Sequence, residues 1–497
     1  MSGDRHLRPD PEGRVGGSPP TLATVMIKTN AAHARSRAGQ HLLQLLVNLL
    51  ARQFGVVRDV LLDVPDVPLY AGVILVPRVN DGSLRDGLLR LGSTAGAGIT
   101  RTRVLDASAP TVVVCVGTDL DPADLTVPAI AIWGSGWRMS ARTYETCESL
   151  EGDSPNPLGP YLAACVGAGF AFKSAYGTQQ RTRCDVDLWR ESGKGPELGG
   201  IVLPSAYVLG LGAVGAALAH TLAAARDLRG CLVGVDPQSM SDTDSNRLLS
   251  GTSENVGTDK VDLFARMFVG SSIEGYTVRA RWPDEYLANP ARKIPGALRA
   301  SEAALRFQWV LSCVDRDRDR VGIARALPRH VLSGSTFGMV AQTAYYSGEG
   351  DCECLGCHHR TPAQLGVEAL AEQLRALDRE GRDPWYQSYG ATLQERASIE
   401  EYLSDPQCGG PGEADLARLG LNGRVDWAVG FVSVGAGVLL AARFIRSSVM
   451  GVDEEIRDGS ELRYFFWSDQ FELSRAKRAT NCLICDGLAD DWRELWH

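Results

Sequence analysis

Four cysteines sit at the spacing that lets a pair of thiolates share one metal ion: Cys354-Leu-Gly-Cys357 and Cys482-Leu-Ile-Cys485. Two such pairs complete a tetrahedral Zn²⁺ site with no open ligand position. The expected role is therefore structural, a clip that ties the C-terminal end to the core. The pairs lie far apart in the chain, and their meeting is an expectation from spacing. Cys352 is a spare ligand nearby, while His358 and His359 read as loop residues. Cys408 stands between the pairs, in Asp405-Pro-Gln-Cys-Gly-Gly-Pro-Gly412. A flexible polar loop can expose a thiol to chemistry, whereas a structural cysteine more often has apolar neighbours. The plain alternative is an incidental loop cysteine. Cys115, Cys165, Cys231 and Cys313 lie in apolar runs and read as core; Cys147 and Cys184 have no partner at ligand spacing. Twelve cysteines in 497 residues are too sparse for a disulfide scaffold, which points to a reducing compartment.

A second constellation opens at Gly210-Leu-Gly212-Ala-Val-Gly215, after the strand-like Ser205–Leu209 and at the start of a helix-like run, Val214–Arg226. Glycines there allow a tight turn and a close approach of backbone to phosphate, whose charge suits a helix N-terminus. Asp236 closes the next strand-like run, Cys231–Val235, where an acid commonly binds ribose hydroxyls. Up to this point an NAD-dependent dehydrogenase and an ATP enzyme are equal readings, with a nucleotide-free glycine turn as the plain alternative. Asn246-Arg247, Gly257 and Lys260 follow. Two cations and an amide suit a triphosphate, which a dehydrogenase does not need; taken singly, each is an ordinary surface group. Asp315 follows the strand-like Trp309–Val314. A carboxylate at the carboxyl end of a parallel strand is placed to hold Mg²⁺. Arg316, Arg318 and Arg320 share that stretch, which otherwise reads as a solvated helix start.

The elements that must position these residues alternate along the chain. Ala38–Phe54 has apolar residues at helical spacing, Val56–Val64 and Thr111–Val116 are strand-like, Ala129–Trp133 is a short apolar run, and Tyr161–Ala175 reads as a buried helix. Together with the strands and helix of the second half, they predict parallel sheets covered on both faces. Residues 358–424 are more polar, with a helix near Val367–Glu380 and a Gly/Pro-rich loop at Asp405–Gly412. The expected division is a disordered leader over 1–20, an α/β domain over 21–190, a linker over 191–200, a second α/β domain over 201–357, an insertion over 358–424 and its completion over 425–497.

The two halves share features in the same order. Val127-Pro128, Gly134-Ser135 and Met139 recur at equal spacing as Leu327-Pro328, Gly334-Ser335 and Met339, and Val166-Gly-Ala-Gly169 recurs as Val434-Gly-Ala-Gly437. A duplication would make one chain a pseudo-dimer. The net charge of −9 argues against nucleic acid or an anionic membrane as a general partner. No apolar run reaches the ~18 residues of a membrane span. The closest, Trp427–Ala442, carries three glycines and a serine and reads as a buried helix. The first residues lack an apolar signal core, so a cytoplasmic protein is expected.

In this order the motifs resemble the ThiF-type superfamily that includes the ubiquitin-activating enzymes. That pattern has a glycine loop, a ribose-binding Asp, a Ser-Asn element followed by Arg, a Lys after a Gly, a strand-end Asp and paired CxxC zinc ligands. Here these are Gly210, Gly212 and Gly215, Asp236, Ser245-Asn246-Arg247, Lys260, Asp315 and the four cysteines, over residues 200–485. Three departures stand out: Gln238 replaces a second acid, Asn246 and Arg247 are adjacent without the usual spacer, and Ser312 stands where a further Asp is common. The resemblance implies an α/β protein, a Rossmann-like parallel-sheet adenylation domain preceded by a degenerate, inactive adenylation-like domain, with a cysteine-bearing insertion and a structural zinc. The first half has no glycine loop, and Gly117 aligns with Asp315. In such family members the inactive half lends an arginine, for which Arg35 and Arg37 are the candidates. The implied activity uses ATP and Mg²⁺ to adenylate the C-terminal carboxylate of a ubiquitin-like protein ending in glycine. Arg247, Lys260 and Asp315 would act on the triphosphate, and Cys408 would accept a thioester for a conjugating enzyme, as in bacterial antiphage conjugation operons. The rivals are a sulfur-carrier or peptide adenylyltransferase and, in another class, a non-catalytic nucleotide-binding scaffold.

Overall fold

A computed structural model describes residues 20–70, 82–117, 126–146, 152–178, 181–190, 195–281, 308–347, 353–358, 367–388, 391–406, 410–420, 429–452, 460–475, 478–479, 482 and 484–496. Residues 1–19 of the expected leader, the Cys147, Cys352 and His359 positions and Cys408 lie outside the described residues.

Val112–Val116 is apolar at every position and wholly buried, as a central strand of a parallel sheet should be. It is β4 of a first sheet whose other strands are β1 (Ala23–Thr29), β2 (Val57–Asp63), β3 (Arg101–Val104), β5 (Ala129–Ser135), β6 (Arg138–Thr143) and β7 (Arg183–Asp187), in the order β3-β2-β1-β4-β5-β6-β7. The first five are mutually parallel and the last two turn back antiparallel. The second sheet contains β8 (Ala206–Leu209), β9 (Gly230–Val235), β10 (Ile273–Val278), β11 (Trp309–Ser312), β12 (His330–Phe337), β13 (Val340–Tyr346), β14 (Glu461–Phe465) and β15 (Gln470–Ser474). Its order is β10-β9-β8-β11-β12-β13-β14-β15. Neighbours and directions repeat those of the first sheet, with β15 added. The chain is therefore two mixed α/β sheets of one topology in tandem.

The recurring Val-Gly-Ala-Gly motifs lie in matching helices, Leu158–Ala175 and Gly430–Met450, which pack on each other. Glycine is needed there: a Cβ on Gly437 would lie 2.6 Å from that of Ala217, and one on Gly167 would lie 2.7 Å from Ile132. The Gly-Ser/Met spacing hides a difference. Ser135 pairs with Arg138 but Phe337 pairs with Val340, so the second hairpin turns two residues later and puts Met339 in the turn. Gly430–Met450 is long and apolar enough to cross a membrane by length and composition, but 89% of that window is buried; it is a core helix.

Several element ends differ from the sequence reading. The strand expected over Trp309–Val314 stops at Ser312, leaving Cys313 to bond the Leu209 carbonyl at the sheet end. The helix expected over Val367–Glu380 ends at Arg375, because Asp378 caps a new helix, Arg379–Ser388, by accepting from the Gly381 N–H at 2.7 Å. The Gly/Pro-rich segment Asp405–Gly412 is not loop throughout: Pro411 begins the helix Pro411–Gly420, in the first helical position where its missing N–H costs nothing. Helices within Arg360–Val429 form a compact unit with its own core, including Leu374, Tyr386, Ile399, Tyr402 and Leu416.

A buried polar cluster lies between the two helical layers. Gln44, from the helix Arg37–Ala51, donates to the Tyr161 hydroxyl, and Tyr161 stacks on His220 of the helix Ala213–Ala224 at 5.2 Å. Burial, then the nearby charges of His220 and Arg226, push the His41 imidazole down to about 3, and burial pushes His220 down to about 4. The unfolded chain binds these two protons below pH about 6.5, while the folded protein refuses them until far lower pH. Stability is therefore full above pH 6.5 and falls as pH drops toward 4, by about 1.4 kcal/mol per pH unit for each histidine. Urea unfolding at pH 7 and pH 5 checks this: His220→Gln should lose less stability between the two than the unmodified protein, and equal losses would contradict it.

Candidate functional site

In the second sheet the chain leaves β8 toward β9 and leaves β11 toward β12, so the strand order reverses between β8 and β11. The crevice at the carboxyl ends of such strands is where open α/β sheets take ligands. Gly210 follows β8, Asp236 follows β9, and Asp315 lies three residues beyond β11.

Gly210 has φ +84°, and a Cβ there would lie 3.0 Å from the Cys313 carbonyl oxygen; one on Gly215 would lie 2.1 Å from the Gly210 oxygen. These two glycines fold the turn against the neighbouring strand. At Gly212, by contrast, a Cβ would meet nothing within 4 Å, so the open side of the turn remains accessible to a ligand. Gly212 is the N-cap of the helix Ala213–Ala224, and no side chain caps it. An uncapped helix start beside an open glycine is a fit for phosphate oxygens.

Asp236 is 5% exposed and braces the turn. It accepts from the Leu211 N–H through Oδ2 and from the Gln238 N–H through Oδ1, each at 2.7 Å. Burial raises its carboxyl above the ordinary range and the exposed Asp315 adds to this, against the pull of Lys260 and the two N–H groups. Asp236 and Asp315 thus lie within electrostatic reach of one another. Lys260 Nζ donates to the side-chain amide oxygen Oε1 of Gln238 at 3.0 Å, so Gln238 holds the lysine.

Asp244, which sequence reasoning passed over, orients both cations. Its Oδ1 accepts from Arg247 Nη2 at 2.8 Å and its Oδ2 lies 3.5 Å from Lys260 Nζ. Burial would raise Asp244, but Lys260, Arg247 and Ser241 outweigh it and hold the carboxyl below its usual range. Arg247 also donates to the Thr243 carbonyl at 2.7 Å. Asn246 lies beside the entry of the helix Gly430–Met450, where a Cβ on Gly430 would sit 3.0 Å from the Asn246 carbonyl oxygen.

An arginine of the first half, Arg52, reaches the second half. Its Nη2 donates to the carbonyls of Leu249 (2.9 Å) and Gly251 (2.7 Å), and its Nη1 to that of Ser245, on the loop that carries Asn246 and Arg247. Burial lowers its guanidinium to about 9, which leaves it charged at neutral pH. Arg35 is exposed at the end of the helix Ala31–Arg35, and Arg37 lies 4.6 Å over the Tyr70 ring, both in the first half. At the matching strand end of that half a side-chain ring takes the space: a Cβ on Gly117 would lie 2.5 Å from His33, whose ring sits 4.5 Å from Trp133. Counted from the strand ends, Gly117 matches Cys313, not Asp315 as the sequence alignment has it.

The four cysteines meet. All their sulfurs lie within 4.8 Å of one another and all are buried, with Cys357–Cys485 at 3.2 Å, Cys354–Cys482 at 3.6 Å and Cys354–Cys357 at 3.7 Å. A Zn–S bond of about 2.3 Å gives tetrahedron edges of about 3.8 Å, so this donor set fits zinc. The thiols belong to one buried core of the second sheet, together with Leu355, Ile484, Trp492, Tyr207, Leu209 and Val235.

Fold and site together define two tandem Rossmann-like α/β sheets with, among the described residues, an open glycine-turn crevice and a four-thiol cluster that could hold a metal ion. Residues 24–186 match the family model of the BilD N-terminal domain. A curated relative, the uncharacterized protein y4jF of Sinorhizobium fredii (strain NBRC 101917 / NGR234), is 23% identical over 365 residues, 68% of this chain; the matched stretch spans 63% of that relative's length. Among solved structures, E. coli MccB with AMPCPP and selenomethionine-labelled MccA aligns over 58% of this chain and 67% of that one, with 13% identity and a TM-score of 0.35. The microcin C7 biosynthetic enzyme MccB in complex with N-formylated MccA aligns over 58% and 68%, with 14% identity and a TM-score of 0.35.

Proposed function

We propose that the protein is an ATP-dependent activating enzyme that adenylates the C-terminal carboxylate of a ubiquitin-like protein and passes the acyl group to a thiol for conjugation. The observation that carries this reading is the convergence of the glycine turn, Asp236, the Arg247–Asp244–Lys260 group and Asp315 at one end of the second sheet. A carboxylate is a poor acyl donor because oxide is a poor leaving group. In the proposed step one carboxylate oxygen attacks the α-phosphorus of ATP, and the bond from that phosphorus to the bridging oxygen breaks. Pyrophosphate leaves with the electron pair. The chain's work is alignment and charge neutralisation: the turn amides bind phosphate, Asp236 holds the ribose, and Arg247 and Lys260 offset the anions. Mg²⁺ held by Asp315 would supply Lewis-acid neutralisation of the triphosphate.

Cys408 is the proposed acceptor. Its thiolate attacks the acyl carbon, AMP leaves, and the thioester retains enough activation to pass to another thiol. An antiphage conjugation setting is part of the same proposal; the first half, residues 24–186, matches the BilD N-terminal domain model. The partners in this reading are a ubiquitin-like protein ending in glycine and a conjugating enzyme, in the cytoplasm. Cys408→Ala should keep pyrophosphate exchange while losing the reducing-agent-sensitive adduct with the carrier protein. An adduct that survives this substitution would remove Cys408 from the transfer step.

A further inference from the structure

A polar stripe runs along one side of the otherwise apolar helix Arg37–Ala51. Gln40, Gln44, Asn48 and Arg52 recur every fourth residue and each is at most 3% exposed. A buried stripe of this kind must find partners. Gln40 bonds the carbonyls of Ala34 and Pro68 within the first half. Gln44 bonds Tyr161 and approaches His220. Asn48 accepts from Arg52 Nε at 2.6 Å and reaches the Leu249 carbonyl at 3.5 Å. Arg52 ends the stripe on the carbonyls of Ser245, Leu249 and Gly251. Those carbonyls bracket Asn246 and Arg247 from both sides.

We infer that Arg52 is a positioning residue, through which the half without a glycine turn sets the loop that presents Asn246 and Arg247 to the triphosphate. Its guanidinium fork is spent on backbone, so it does not itself touch nucleotide. Lysine cannot reproduce three divergent donor directions from one ammonium. The same loop also abuts Gly430, and its Arg247 and Leu248 N–H groups bond the carbonyl of Asp244, whose carboxylate orients Arg247 and Lys260. A shift of the Ser245–Gly251 backbone would therefore move Arg247 and disturb the acid that holds Lys260.

The activity readout rests on the adenylation reading; the loop readout does not. In the full chain, Arg52→Met keeps volume and removes the donors, Arg52→Lys keeps one charge, and Arg52→Gln serves if the methionine variant does not fold. Amide hydrogen exchange over 245–251 should quicken at least tenfold in the methionine or glutamine variant, with β8 and β9 unchanged and lysine intermediate. The KM for ATP in pyrophosphate exchange should rise at least tenfold while kcat changes less. Faster exchange spread evenly over the whole protein, or an unchanged 245–251 segment, would overturn the inference. If the unmodified protein neither binds Mg·ATP nor exchanges pyrophosphate, the adenylation reading fails, and loop exchange still decides the role of Arg52.

Discussion

Cys354→Ser is expected to release one bound zinc per chain and to lower the thermal midpoint by at least ~5 °C, a loss on the order of several kcal/mol. The core around the thiols explains the size of the effect. It includes residues of short pieces, the helices Leu355–His358 and Ala489–Trp496 and the turn through Ile484, which are too short to hold themselves in place. The thiol cluster joins them to the sheet, helped by Trp496 donating to the Leu327 carbonyl at 2.9 Å. Without the metal, four buried sulfurs lack the cation that would stabilise them as thiolates, and the terminal helix should fray first. Metal analysis together with calorimetry checks this. A zinc content near zero in the unmodified protein, or an unchanged midpoint in Cys354→Ser, would remove the structural zinc from the account.

Asp315→Ala is expected to reduce pyrophosphate exchange on the order of 100-fold or more while leaving the thermal midpoint in place. Asp315 is exposed beyond the end of β11, so its removal opens no cavity and costs little stability. Its loss takes away the carboxylate assigned to Mg²⁺ beside Asp236. Asp236→Ala should behave differently, weakening ATP binding and also loosening the glycine turn, because its oxygens accept from Leu211 and Gln238. Pyrophosphate exchange and melting measured on both variants separate these roles. Normal exchange in Asp315→Ala would contradict the placement of the metal.

The parts of this protein governed by local chemistry were readable from its sequence. Buried parallel strands declare themselves as continuous Val runs, as in Val112–Val116, and two CxxC pairs declare a four-thiol cluster even far apart in the chain. Element ends set by one residue's competing preference were misread: Asp378 caps a new helix, and Pro411 starts one inside a segment whose composition read as loop. The largest omission was the Gln40-Gln44-Asn48-Arg52 stripe. The helix was read through its leucines, although polar residues at every fourth position carried a signal of their own. What the sequence could not show is that Arg52 ends on carbonyls of Ser245, Leu249 and Gly251, since a backbone acceptor leaves no mark in residue identity. Asp244 was passed over because an acid in a polar segment looks solvated until its two cations are seen beside it.

The central claim is tested most directly by incubating the full chain with ATP, Mg²⁺, labelled pyrophosphate and a ubiquitin-like protein that ends in glycine. The account predicts label appearing in ATP only when the carrier's terminal carboxylate is present, and its disappearance when that terminus is amidated. Label transfer that ignores the carrier's terminus, or none with any carrier while Mg·ATP is bound, would contradict adenylation of a protein carboxylate as the reaction of this site.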